Sequence, residues 1–143
     1  MATASVYLTF DGNCEAAFKF YHSVFGGDTL HFGKLKDMPN DGSNQNPMSK
    51  TEGNKIVHVS LPISKETNLM GSDAFGVYAK DLIVGNNFSV ALNVDNKLEA
   101  DRLFEALSEG GNITMPLNKT FWGAYFGMLT DRFGINWMMN FDL

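Results

Sequence analysis

Several features are scarce in this chain of 143 residues, and each scarcity removes a class of protein. There is one cysteine, Cys14, so no internal disulfide can form and a reducing cytoplasm is the expected compartment. The 11 lysines and arginines are scattered, with Lys34 and Lys36 the nearest approach to a cluster. Together with 16 acidic residues they give a formal charge of -5, which argues against nucleic acid as a partner, because phosphate binding needs concentrated cations. No apolar run approaches the roughly 20 residues of a membrane helix, so no membrane partner is expected. Met1-Ala2-Thr3-Ala4-Ser5 carries neither a basic segment nor a long apolar stretch, and no secretory signal is expected. Nor does a glycine-rich turn join a strand to a helix ahead of an acidic residue that would hold a ribose.

Aromatic and thioether side chains are abundant instead: 12 Phe, 4 Tyr, 2 Trp and 8 Met. Such residues fill cores and also line sites for small molecules. Hydrophobic residues at 44% and charged residues at 19% suit one ordered domain of this length.

The chain also repeats itself. Leu92, Asp95, Glu99, Ala100, Gly110 and Gly111 echo Leu8, Asp11, Glu15, Ala16, Gly26 and Gly27, each at a spacing of 84. A long period seen twice indicates a duplicated module rather than a solenoid. The spacing predicts module one over about 1–75, a linker over about 76–86 and module two over about 87–143. Clefts between such halves are common places for ligands.

Within module one, Val6 to Phe10 reads as a strand, and Asp11-Gly12-Asn13 as turn and cap. A helix is predicted over 15–25, with Ala17, Phe20, Tyr21 and Val24 on one face and Gly26-Gly27 at its end. Strands are predicted over 28–33, 55–62 and 67–71. In the third of these four strands, Val57, Val59 and Leu61 face one way and Ile56, His58 and Ser60 the other. The polar stretch 34–54 is long for a loop in a compact domain and is expected to act as a lid. Module two repeats the order, with a strand over 88–94, a helix over 98–109 and strands over 112–117, 123–130 and 135–141. Its apolar helix face, Ala100, Leu103, Phe104 and Leu107, matches the first helix better at a spacing of 83 than of 84. Asp11 and Asp95 read as helix caps, and Glu15 and Glu99 as first-turn charges.

The expected fold class is therefore α+β, with two tandem β-α-β-β-β modules whose curved antiparallel sheets enclose a cavity. That pattern resembles the vicinal oxygen chelate superfamily, which includes glyoxalase I, extradiol dioxygenases and bleomycin resistance proteins. Within it the chain is most similar to the PhnB-like group, often labelled 3-demethylubiquinone-9 3-methyltransferase-like. The segments that carry the likeness include Tyr7-Leu8-Thr9-Phe10-Asp11-Gly12-Asn13, His58-Val59-Ser60-Leu61-Pro62 and Leu69-Met70-Gly71-Ser72-Asp73. Thr120-Phe121-Trp122-Gly123-Ala124-Tyr125-Phe126-Gly127 and Leu129-Thr130-Asp131-Arg132-Phe133-Gly134-Ile135-Asn136-Trp137 complete it.

The resemblance implies an open divalent-metal site, with His, Gln or Glu on the first strand of each module and Glu on the last. Here the first strands offer Ser5, Val6, Tyr7 and Leu8, and Phe88, Ser89, Val90 and Ala91. The last strands offer Asn68 and Met70, and Asn136 and Met138. These are weak ligands for a hard or borderline cation, so no metal or other cofactor is predicted.

His58 is the candidate catalytic residue, as acid, base or hydrogen-bond donor; its alternative is a core histidine satisfied by one partner. Tyr7, His58, Trp122, Tyr125 and Trp137 are the candidate ligand-binding residues. Gly123 and Gly127 beside Tyr125 either leave room for a ligand ring or mark close sheet packing. Asp73 ends its strand either in a turn or toward a pocket. Three readings follow. The first is a metal-free binding protein for a small apolar or aromatic molecule. The second is a lyase, isomerase or dioxygenase with a displaced metal or His58 as proton carrier. The third is a structural or regulatory homodimer, and the resemblance implies a homodimer under all three.

Overall fold

The computed structural model describes residues 2–38 and 50–143, and builds two β-α-β-β-β units, Met1–Leu82 and Ile83–Leu143. The middle of the stretch expected as a lid, residues 39–49, lies outside the described residues.

In unit 1, β1 (Val6–Phe10) leads into α1 (Cys14–Phe25). α1 buries Cys14, Ala17, Phe18, Tyr21 and Val24, a stripe at three- and four-residue spacing. It stops at Gly26, whose φ of 74° is one that only glycine adopts freely. β2 (Gly33–Lys34), the short α2 (Lys50–Gly53), β3 (Ile56–Pro62) and β4 (Asn68–Asp73) follow. The sheet order is β1-β4-β3-β2. β1 runs parallel to β4, and the other neighbours are antiparallel. The sheet is thus mixed rather than antiparallel, because the excursion through the helix returns β4 in the direction of β1.

Two further expectations are corrected. The strand predicted over 28–33 shrinks to Gly33–Lys34, since none of residues 28–32 is buried and no core face holds them against β3. Gly27, Asp28, Thr29 and Leu30 instead face Ser60, Leu61 and Pro62 across an open groove of about 270 Å³. In β3, Gly33 pairs with His58 but Lys34 pairs with Ile56, so Val57 is an extra residue. A bulge reverses the in–out order beyond it. Ile56 is therefore buried along with Val59 and Leu61, and does not share the face of His58 and Ser60.

Unit 2 comprises β5 (Val90–Asn93), α3 (Lys97–Ser108), β6 (Asn112–Lys119), β7 (Ala124–Thr130) and β8 (Asn136–Asp142). Its order, β5-β8-β7-β6 with β5 parallel to β8, repeats that of unit 1. α3 buries Ala100, Leu103, Phe104 and Leu107. The helices start at Cys14 and Lys97, 83 residues apart, while the strands start at Val6 and Val90, 84 apart. β1 is one residue longer than β5, while three residues join strand to helix in each unit, 11–13 and 94–96; Gly12 in the first of these turns takes a φ of 88°.

Neither helix is capped by the aspartate expected. The N-cap residues are Asn13 and Asn96, and only Asn96 uses its side chain, accepting from the Glu99 N–H at 2.8 Å. The carboxylate of Asp73 serves α1, as set out below. In both units a strand glycine seats a helix phenylalanine. A Cβ on Gly71 would meet the Phe18 ring at 2.6 Å, and one on Gly127 would meet Phe104 at 2.9 Å. Gly127 therefore marks close packing and leaves no space for a ligand ring. Among the described residues no helix is long and apolar enough to cross a membrane.

Candidate functional site

Each helix covers one face of its sheet, and the strand register decides which side chains line the other. In unit 1, Leu8, Phe10, Val59, Leu61 and Leu69 are buried with α1. Tyr7 and Thr9 of β1, Met70 and Ser72 of β4, and His58 and Ser60 of β3 point away. Tyr7 lies beside Met70, which lies beside Ser60. The Tyr7 and His58 rings are 6.3 Å apart, centroid to centroid, and tilted by 35°. His58 is exposed, so its reading as a core histidine does not hold. A phenol, an imidazole and two or three hydroxyls can donate, accept and move protons at one surface.

In unit 2 the face turned from α3 is built in rows. Ala91, Met138, Met128 and Met115 are neighbours across all four strands. Beside this apolar row runs a second, Asn93, Asn140, Phe126 and Asn118. The Asn140 Nδ2 donates to Asn93 Oδ1 and to Asp142 Oδ1, both at 3.0 Å. On the other flank the Thr130 hydroxyl donates to Asn136 Oδ1 at 2.7 Å. The turn from β6 to β7 adds Phe121 and Trp122, whose rings are 5.0 Å apart, with Trp122 6.1 Å from Phe126. Phe121 is 97% exposed and Trp122 58%.

The remaining candidates lie elsewhere. Tyr125 belongs to the α3 side, where its hydroxyl donates to Asp101 Oδ1 at 2.6 Å and Lys97 Nζ sits 5.0 Å from the ring centre. That hydrogen bond raises the tyrosine pKa and, with the bond from Lys97, lowers that of Asp101. Tyr125 thus ties α3 to β7. Trp137 is 1% exposed, and its indole N–H donates to Asp131 Oδ2 at 2.9 Å. Its ring has no surface left for a ligand. Of the five candidates, Tyr7 and His58 stand on a sheet face free of helix, and Trp122 stands in the β6–β7 turn with its ring beside Phe126. Sequence reasoning missed Asn93, Phe126, Met128, Asn140 and Asp142; the alternation Asn136, Met138, Asn140, Asp142 was the available signal.

Asp73 is 2% exposed and structural. Oδ1 accepts the Cys14 N–H and Oδ2 the Ile56 N–H, each at 2.9 Å, so one carboxylate ties the start of α1 to the start of β3. Burial foremost, then the negative charges of Asp73 and Glu15, pushes the Cys14 thiol well above its usual range. The strands named above for metal ligands meet as Tyr7 beside Met70 and Ala91 beside Met138. Among the described residues no three His, Cys, Asp or Glu side chains are grouped to hold a metal ion.

This paired β-α-β-β-β arrangement is the fold of the glyoxalase and bleomycin resistance proteins. A glyoxalase/bleomycin resistance protein/dioxygenase family enzyme from Burkholderia phytofirmans PsJN superposes with a TM-score of 0.66 over 99% of this chain and 100% of that one, at 17% identity. Protein PA1353 from Pseudomonas aeruginosa is nearer, with a TM-score of 0.75, 41% identity and coverage of 99% and 98%. The Escherichia coli (strain K12) protein YjdN is 31% identical over 140 residues, 95% of this chain and 92% of that protein. The model of the 3-demethylubiquinone-9 3-methyltransferase family matches residues 2–140, and the chain belongs to that PhnB-like family.

Proposed function

We propose that this protein binds a small apolar or partly aromatic molecule on the sheet faces turned from its helices, without the divalent metal common in the superfamily. The apolar row Ala91, Met138, Met128 and Met115, flanked by Phe126 and Trp122, carries this reading. Thioethers adapt to the outline of an apolar ligand, and aromatic rings give it a flat wall. The phenol, methyl and thioether groups at Tyr7, Ala91, Met70 and Met138 do not fit a hard or borderline cation, so no chemical step is routed through one. The reading includes a homodimer in the cytoplasm, with exposed Phe121 and Trp122 available for association.

Titration with ethylbenzene, followed by Trp122 fluorescence, tests the site. Quenching that saturates, and that weakens in Met138→Asp, is expected; no response up to the solubility limit overturns the reading. Elemental analysis of protein purified without chelators tests the metal-free part, and one tightly bound divalent ion per chain overturns it. Native mass tests the dimer.

A second reading rests on the Tyr7–His58 pair, where an imidazole exposed beside a phenol can carry protons in a lyase or isomerase. His58→Ala is then expected to lower ligand affinity or turnover with the fold intact. Unchanged binding and turnover would remove His58 from the site.

A further inference from the structure

The row Asn93, Asn140, Phe126 crosses three neighbouring strands, β5, β8 and β7, on one sheet face. Asp142 can only accept, and this dictates which end of the Asn140 amide turns toward it. The Asn140 NH2 gives its two hydrogens to Asp142 and Asn93, each at 3.0 Å. Its Oδ1 then remains as an acceptor, and the Asn93 Nδ2, on the next strand, remains as a donor. Because each amide is already held by a neighbour, little side-chain entropy is lost when a ligand uses these groups. Phe126 stands directly across from Asn140, with the Trp122 ring 6.1 Å beyond it at 64°. Met138, two residues before Asn140 on the same strand face, supplies an apolar floor.

We infer that this strip is a subsite for a planar aromatic ring bearing a carboxamide, its N–H donated to Asn140 Oδ1 and its carbonyl accepting from Asn93 Nδ2. The ring lies against Phe126 and Trp122. A purely apolar ligand would use the rings and leave both amides to water, so the strip selects within the ligand class proposed above, on which this inference rests.

Benzamide and ethylbenzene separate the two levels, because they share a ring and differ in the amide. Side-chain amide signals of Asn93 and Asn140, and the indole N–H of Trp122, can be followed by NMR during titration. Benzamide is expected to shift all three and to bind about tenfold more tightly than ethylbenzene, the worth of two modest hydrogen bonds. Asn140→Ala should abolish that preference while leaving ethylbenzene binding and the thermal midpoint in place, and Asn93→Ala should do the same. Equal affinity for the two probes, or a preference that survives both substitutions, overturns the inference while the apolar-ligand reading stands. If neither probe shifts any signal from this face, both fall.

Discussion

The helix of unit 1 takes its first acceptor from a strand 59 residues further along the chain, whereas the helix of unit 2 takes its own from the residue just before it. The same element order thus solves the same problem, free N–H groups at a helix start, in two ways. In unit 1 Asn13 makes no capping bond with its side chain, and a buried aspartate does the work instead. Asn96, at the same turn position in unit 2, caps directly. A local cap is replaceable; a buried carboxylate that bridges a helix and a strand is not.

Substitutions at the two caps should separate them most clearly. Asp73→Ala leaves two buried N–H groups without an acceptor and is expected to cost about 3 kcal/mol or more in denaturant unfolding. Asn96→Ala is expected to cost about 1 kcal/mol. Equal losses would mean that the bridge adds nothing beyond an ordinary cap.

The glycine seats come next. Gly71→Ala sets a methyl against both the Phe18 ring and, at 2.9 Å, the Leu8 carbonyl, and should cost about 1–3 kcal/mol by overpacking. Phe18→Leu in the same chain should recover part of that loss, and no recovery would place the strain at the backbone instead.

The smallest effect concerns Cys14, whose counterpart at the start of α3 is Lys97. Burial raises the folded pKa of this thiol above that of the unfolded chain. Its contribution is complete below the unfolded pKa of about 8.5 and declines as pH rises past that value, because only the unfolded state ionises. Wild type should therefore lose stability between about pH 8.5 and 10.5 relative to Cys14→Ala, in paired unfolding curves. Parallel curves would show that the thiol titrates alike in both states.

The free faces differ as the caps do. Where unit 1 places Tyr7 beside Met70 and Ser60, unit 2 places Ala91 beside Met138 and Met128. The first face has groups that exchange protons and the second has an apolar floor between amides. The two units share one pattern of backbone pairing and differ in their outward side chains, because the core constrains only the inward ones.

Much of this was legible beforehand. Alternation and helical spacing located β1, β3, α1, α3 and all three strands after α3 to within about two residues, while the short α2 fell in the stretch read as a loop. The helix offset of 83 was readable from Ala100, Leu103, Phe104 and Leu107. The strand over 28–33 was misread because its residues alternate without any partner to bury them. Trp137 and Tyr125 looked like site residues because an aromatic ring in a strand has the same signature whether it faces a core, a helix or a ligand. Only the register across strands tells these apart.

What the sequence by itself determined was the repeated order of elements, the inward stripe of α3, part of that of α1 (where Phe18 rather than Phe20 turns inward) and the class of fold, since these follow from periodicity and from where glycine permits a turn. Tertiary structure alone decided that Asp73 caps α1, that a bulge at Val57 buries Ile56, and that Asn93, Asn140 and Phe126 form one row. Each of those depends on residues distant in the chain arriving in register, and the pairing of strands is fixed by packing across the whole unit, which no local pattern encodes.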